Sequence, residues 1–208
     1  PVFFLVTLPF SFEGNWRRRQ AEGALAPLRE LSDAVIVVKN DLLFTTLAAD
    51  TPAAEAFRSA DRMLAEGIQG LTAMVWADYI LTTDFAAIRA VLRHHADACH
   101  LGVGTGSGPD GWEQAVHAFI ECPLVGGRAA LDHTDAAVIT LLSRNDIAVG
   151  DMQRCLSALQ SYFPETARVL VGACRTSRCR AEIQITGVLC RQREAAARPG
   201  EEPAAAPL

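Results

Sequence analysis

Several residues in this chain carry chemistry at suggestive spacings. Glu13 and Arg17 stand four apart, as do Arg18 and Glu22. A carboxylate and a guanidinium beside a loop can grip a sugar and a phosphate. Spacing alone also describes an ordinary i,i+4 surface pair worth a few tenths of a kcal/mol, and it favours that account. Asn40-Asp41 closes an apolar run, and Asp84 follows two threonines at a helix start, where an N-cap is the plain reading. His94, His95, Cys99 and His100 form a ligand-like cluster without a second ligand pair, so a polar helix end is favoured over a metal and no metal ligand is assigned. Gly102, Gly104, Gly106 and Gly108 resemble the start of a phosphate-binding loop. The G-x-G-x-x-G pattern is not met, because Pro109 stands three residues after Gly106, and no Gly-Lys-Ser/Thr follows. A flexible turn is expected there; a dinucleotide-using enzyme is the weaker alternative.

The elements that must position these residues are legible as periodicities. Val2 to Val6 reads as a buried strand within residues 1–7, with a turn at Pro9 to Gly14. Asn15 to Leu31 reads as a helix with Ala21, Leu25, Leu28 and Leu31 on one face. Ala34 to Val38 is a β-branched run typical of a parallel strand. From Pro52 to Trp76 apolar residues recur at Phe57, Ala60, Leu64, Ile68, Leu71 and Val75, a single stripe along a long helix that connects two lobes. Gly67 and Gly70 lie inside it, each costing about 1 kcal/mol against Ala, which implies close approach of a neighbour. Trp76 to Leu81 reads as loop and is followed by a short helix to about His94. Ala98–Val103 reads as a short strand, and residues 109–120 as a helix. Ala136–Ser143 is read as a strand, Val149–Tyr162 as a helix, and Arg168–Cys174 and Arg180–Leu189 as strands. Strand, helix, strand and long helix make a parallel βαβ-type unit, and ligands in such sheets bind beyond the carboxyl ends of strands. The Pro9–Gly14 turn, Asn40 and the start of the long helix therefore share one candidate site. The later strands, with helices on one face, make a two-layer α/β sandwich.

Composition narrows the function class. Half of the 208 residues are hydrophobic and 21% are charged, which is globular. A net charge of −5 gives no electrostatic footprint for nucleic acid. No apolar run is long enough to cross a membrane, so direct membrane insertion is not expected. Six cysteines without C-x-x-C spacing are expected to be thiols in a reducing cytoplasm. Pro1 leads directly into a strand-like run, so the chain is expected to be a piece of a larger protein. Residues 191–208, rich in Ala, Pro and Glu, are expected to form a disordered tail.

Four blocks together resemble the FtsZ family, bacterial tubulin homologues that polymerise with GTP. Val6-Thr7-Leu8-Pro9-Phe10-Ser11-Phe12-Glu13-Gly14 resembles V-T-K-P-F-x-F-E-G, with Leu8 in place of lysine. Lys39-Asn40-Asp41 resembles P-N-D, Ala56-Phe57-Arg58-Ser59-Ala60-Asp61 resembles A-F-x-x-A-D, and Asp84-Phe85-Ala86-Ala87-Ile88-Arg89 resembles D-F-A-D-V-R. The resemblance covers roughly residues 1–190. It implies a tubulin/FtsZ-like α/β fold: residues 1–51 as the end of a parallel-sheet GTP-binding domain, 52–76 as the central helix and 77–190 as the two-layer C-terminal domain. It also implies that Glu13 contacts ribose and Arg17 the ribose–phosphate region. Asn40, Phe57 and Asp61 would surround guanine, and Asp84 would act at the next subunit's nucleotide. The implied cofactor is GTP or GDP with Mg2+, and the implied partners are further copies in head-to-tail filaments, an active FtsZ and division proteins at the cytoplasmic division site.

Two departures qualify this. The phosphate-binding G-G-G-T-G-T-G is absent from these 208 residues, so this stretch alone is expected to hold no nucleotide firmly. The family's N-x-D-x-x-D loop reads Thr82, Asp84 and Ala87. One carboxylate of two remains, and impaired hydrolysis is the expectation. A non-hydrolysing scaffold or regulator that co-assembles with an active FtsZ is the alternative.

Overall fold

A computed structural model of the chain describes residues 2–45, 47–48, 50–76, 78–81, 84–93 and 99–191. The two apolar runs near the start become β1 (Phe3–Leu8) and β2 (Ala34–Lys39), paired in parallel along their whole length. Their crossover is α1 (Asn15–Glu30), which packs on both strands yet has no fully buried residue. The short helix α2 (Asn40–Leu43) follows β2 without a break.

The long helix is α3 (Ala53–Trp76), and the amides of Glu55 and Ala56 donate to the Pro52 carbonyl at its start. Of the expected stripe, Ala60, Leu64 and Leu71 pack on the core, but Phe57 and Ile68 do not. Ala56, Ala60, Gly67 and Gly70 are buried, whereas Phe57 and Ile68 are 43% and 47% exposed. Small residues are selected because the helix backbone lies almost on the sheet. A Cβ on Gly67 would collide with the Leu101 side chain, and one on Gly70 with Thr186.

Residues 76–81, expected as loop, include an edge strand, β3 (Asp78–Leu81), and α4 (Phe85–Arg93) follows it. The expected strand at Ala98–Val103 runs on as β4 (Cys99–Gly106), so Gly104 and Gly106 join Gly102 in the strand and only Gly108 lies in the turn after it. The missing side chains of the strand glycines let α5 (Gly111–Ile120) press its backbone onto the strand. A Cβ on Gly104 would overlap the Ala115 carbonyl and the Phe119 backbone, and one on Gly106 the Gly111 carbonyl. Gly102 pairs with Gly187, and the ring of Phe119 fills the notch that these two leave.

The short helix α6 (Arg128–Asp132) leads to β5 (Ala136–Ser143), α7 (Val149–Gln160), β6 (Arg168–Arg175) and β7 (Ile183–Cys190). The seven strands form one mixed sheet in the order β1-β2-β4-β7-β5-β6-β3. β7 runs antiparallel to both of its neighbours, while β5 and β6 are parallel. β2 meets β4 at one register pair, Ile36 with Cys99. Because side chains alternate between the faces of a strand, Leu101 meets α3 on one face and Gly102 meets α5 on the other. The sandwich of sheet and helices is thus closed from the opposite side by α3. Phe119, Leu101, Ile139, Leu141, Leu159 and Ile185 are fully buried in one continuous core. Gln184, also buried, ties α3 to the sheet by donating from Nε2 to the Glu66 carbonyl (2.8 Å). Residues 192–208, expected as a tail, lie outside the described residues, as do Thr82, His94 and His95.

Gly104→Ala is expected to destabilise the protein by about 3 kcal/mol, the upper part of the overpacking range. Gly23→Ala, on α1 with open space around it, is expected to stabilise by about 0.5 kcal/mol. Urea unfolding of both variants checks the contrast; equal effects would mean that α5 does not approach β4 this closely.

Candidate functional site

The site lies beyond the carboxyl ends of β1 and β2. After Leu8, Pro9 turns the chain and a 3-10 turn at Ser11–Glu13 brings it back to the start of α1. Gly14 joins the two with φ +100°, a conformation that L side chains rarely adopt. Three bonds hold this loop. The Phe10 amide donates to Glu13 Oε1 (2.9 Å), Arg17 Nη1 donates to Glu13 Oε2 (2.7 Å), and the Ser11 amide donates to Asp41 Oδ1 (2.8 Å). The last bond anchors the loop to α2 and so places Asn40 across from Glu13. Glu13, Arg17 and Asn40 line one open cleft of about 500 Å³, together with Thr7, Pro9 and Gln20.

Glu13 is held ionised. The Phe10 amide first, and then the Arg17 guanidinium, hold its carboxyl below the usual carboxylate range. An ionised carboxylate offers about four lone-pair sites, and the bonds above occupy two. Two remain to accept hydroxyl hydrogens from a ligand. Arg17, 63% exposed at its side chain, has five N–H donors, of which one bonds Glu13 here. Carboxylate, guanidinium and amide in one cleft suit a ligand that carries hydroxyls, acidic oxygens and a polar ring edge.

Beside the cleft stands an aromatic cluster. Phe10 is buried and stacks on Phe44 (4.4 Å, 20°) and on Phe12 (5.0 Å, 10°). Phe57 meets Phe10 and Phe44 edge to face, at 5.3 and 5.9 Å. Phe57 therefore joins the site through Phe10 and keeps exposed ring surface. Asp61, one helical turn later on the same face, is exposed and does not line the cleft.

Asp84 is elsewhere. Its Oδ1 accepts the Ala86 amide (3.0 Å) and its carbonyl accepts the Ile88 amide (3.0 Å), so it begins α4 as a cap. α4 packs on β5 and β6. Arg89 Nε donates to Asp33 Oδ1 (2.7 Å), and Asp33 Oδ2 also accepts the Val2 amide (2.9 Å). Asp33 precedes β2, at the end of the sheet opposite the cleft. At about 3.3 Å per residue the strand separates the two ends by roughly 20 Å. Ala87 is half-buried on α4. The glycine strand β4 presents no amide cradle for a dinucleotide, since α5 covers it. Among the described residues no three His, Cys, Asp or Glu side chains gather as a metal site, and no helix is long and apolar enough to cross a membrane.

Sequence reasoning missed Asp41, Phe10 and Phe44 as organisers of the site. Asp41 carried a signal, because Asx residues readily bond nearby backbone amides, but its partner lies 30 residues away. Nothing local marks such a bond.

This sheet, with a long helix crossing one face and a cleft beyond β1 and β2, is the architecture of the FtsZ and tubulin class. No protein-family model matches the chain. Among solved structures it is similar to an empty FtsZ dimer from M. jannaschii, at 24% identity and TM-score 0.79, covering 90% of this chain and 54% of that one. A point mutant of the same FtsZ gives 24% identity and TM-score 0.78, with 90% and 55% covered. CetZ from Methanosaeta thermophila strain DSM 6194 gives 20% identity and TM-score 0.66, with 92% and 52% covered. The chain therefore has the FtsZ/tubulin-like fold and spans about half the length of the structures it matches.

Two titrations test this geometry. By carboxyl NMR, Glu13 is expected to titrate below the ordinary value of about 4.3, and Arg17→Ala to reduce the shift without reversing it, because the Phe10 amide is the larger cause. The Asp33 carboxyl is likewise lowered, by the Val2 amide and then by Arg89. A depressed folded-state value contributes stability that is complete above the unfolded value, about 3.9, and is lost as pH falls through the folded one. Acid unfolding of Asp33→Asn should therefore be less steep below about pH 4 than that of the parent chain.

Proposed function

We propose that this chain is part of an FtsZ-like, GTP-linked cytoskeletal protein that stacks head to tail with further copies at the division site of the cytoplasm, and that its GTP hydrolysis is impaired. The observation that carries this reading is the polarity of the chain. Glu13, Arg17 and Asn40 line a cleft at one end of the sheet, whereas α4, with Asp84 at its start, is tied by Arg89 to the other end. One copy does not bring Asp84 to its own cleft; a second copy stacked end to end does. The dimeric form of one structural neighbour is in keeping with such stacking.

GTP, when bound, supplies the phosphoanhydride to be cleaved. Glu13 would accept ribose hydroxyls on its two remaining lone-pair sites, and Arg17 would donate to phosphate oxygens. Asn40 and Asp61 would meet the polar edge of guanine, and the exposed ring of Phe57 would stack on its face. Asp84 would orient water against the neighbouring copy's nucleotide. Ala87 offers a methyl group where the resemblance expects a second carboxylate, and loss of a general base costs about 10²–10⁴ in rate. Ala87 equally favours the second reading, a non-hydrolysing subunit that co-assembles with an active FtsZ.

The test is GTP turnover and sedimentation of the protein that carries this chain. Slow turnover is expected, rising about 100-fold or more in Ala87→Asp, with GTP-dependent pelleting lost in Glu13→Ala. Rapid turnover undiminished by Asp84→Ala would overturn the proposal. Pelleting that requires an added active FtsZ would select the co-assembling subunit.

A further inference from the structure

All six cysteines are buried, and none is joined in a disulfide. Cys122 and Cys155 pack in the main core, and Cys174 and Cys179 pack with Leu142 in a smaller one. Cys99 and Cys190 are placed differently. They are the first residue of β4 and the last of β7, directly opposite each other in the antiparallel register, so their side chains share one face. Directly opposed residues have Cα atoms about 4.5–5.5 Å apart, inside the roughly 4.4–6.8 Å that a disulfide spans. Their Sγ atoms are in contact, 2.7 Å apart.

The pair also sits at a seam. Cys99 is the residue through which β4 meets β2, opposite Ile36. Cys190 also pairs with Ala136 of β5, and its carbonyl accepts the Asp135 amide. The two strands of the cleft and the five remaining strands therefore join where these sulfurs touch.

We infer that Cys99 and Cys190 form a redox-modification site, a dithiol that small disulfides such as oxidised glutathione convert into a cross-strand bridge stapling β4 to β7 at this seam. One cysteine thiolate attacks the small disulfide, forming a mixed disulfide and releasing one small thiol. The second cysteine thiolate attacks the protein-side sulfur of that mixed disulfide, forming the Cys99–Cys190 bond and releasing the second small thiol. The protein loses two electrons and two protons, and the small disulfide gains them. The closed sheet protects the pair, because Cys99 is 2% exposed and Cys190 is 0% exposed. Contact with Cys99, and then burial, raises the Cys190 thiol far above its ordinary value, and only the thiolate attacks. Exchange therefore proceeds during folding or when the end of the sheet opens. Cys174 and Cys179, each pushed up to about 11 chiefly by burial, are the competing pair, placed toward the other end of β5.

The full chain is refolded from urea in a glutathione redox buffer, and folded chain is incubated in parallel with oxidised glutathione. Both samples are blocked, digested and mapped by mass spectrometry. The refolded sample is expected to lose two of its six thiols, to yield a linked Cys99–Cys190 peptide, and to revert with dithiothreitol. The folded sample is expected to react at least 10-fold more slowly, in keeping with the burial of both sulfurs. Six thiols in the refolded sample, glutathione retained on Cys99 or Cys190 without a bridge, or a Cys174–Cys179 link in its place would overturn the inference. The reading is made on the parent sequence, so it does not depend on whether a cysteine variant folds.

Discussion

The structure depends on close approach of backbone to backbone across β4 and β7. Gly102, Gly104, Gly106 and Gly187 let α5 settle onto one face, while Gly67 and Gly70 let α3 settle onto the other. Side chains at these positions would hold the layers apart and leave the buried ring of Phe119 without its notch. Protein interiors are packed near crystal density, so this spacing is not adjustable element by element. The glycines cost conformational entropy and helix propensity. What offsets that cost is dispersion and apolar burial along the whole contact between α3, the sheet and α5.

That contact orients the chain's two ends. With α3 fixed across the sheet, β3 takes the far edge beside β6, and α4 packs over β5 and β6. Arg89 reaches Asp33 before β2, while the loop after β1 reaches Asp41 after β2. Exposed ion pairs contribute little to stability, typically under about 1 kcal/mol. These two carboxylates matter for placement. One ties α4 to the bottom of the sheet and the other ties the Glu13 loop to the top.

The cleft is a polar surface beside an aromatic cluster. Phe10, Phe44 and Phe57 stack against one another next to the Glu13 loop, and the fixed turn at Gly14 sets the direction in which α1 leaves. Glu13 is held by an amide and a guanidinium before any ligand arrives, so little side-chain entropy remains to be lost on binding. α1 itself, with no fully buried residue and with Trp16 70% exposed, is the least embedded helix bordering the cleft.

The sequence alone determined the local elements and the motif-bearing residues. The β-branched run at Ala34–Val38, the long helix, the strand at Ala136–Ser143 and the meeting of the Pro9–Gly14 turn with Asn40 beyond strand ends all follow from periodicity and a simple topological rule. Those signals act over a few residues, which is why they are legible. Arg17 entered the site only through the family resemblance. Gly67 and Gly70 announced a close neighbour, but only the tertiary structure decided that Phe57 and Ile68 stay exposed, because the sheet approaches α3 on the side of the glycines. The tertiary structure also carried the strand on through Gly104 and Gly106, because α5 supplies the contacts that side chains would otherwise supply. Residues Asp78–Leu81 became an edge strand because β6 offers an unpaired ladder, and no propensity in four residues can announce that. The bonds from Ser11 to Asp41 and from Asp33 to Arg89 join residues far apart in the chain, and such pairings exist only once the sheet has brought their elements together.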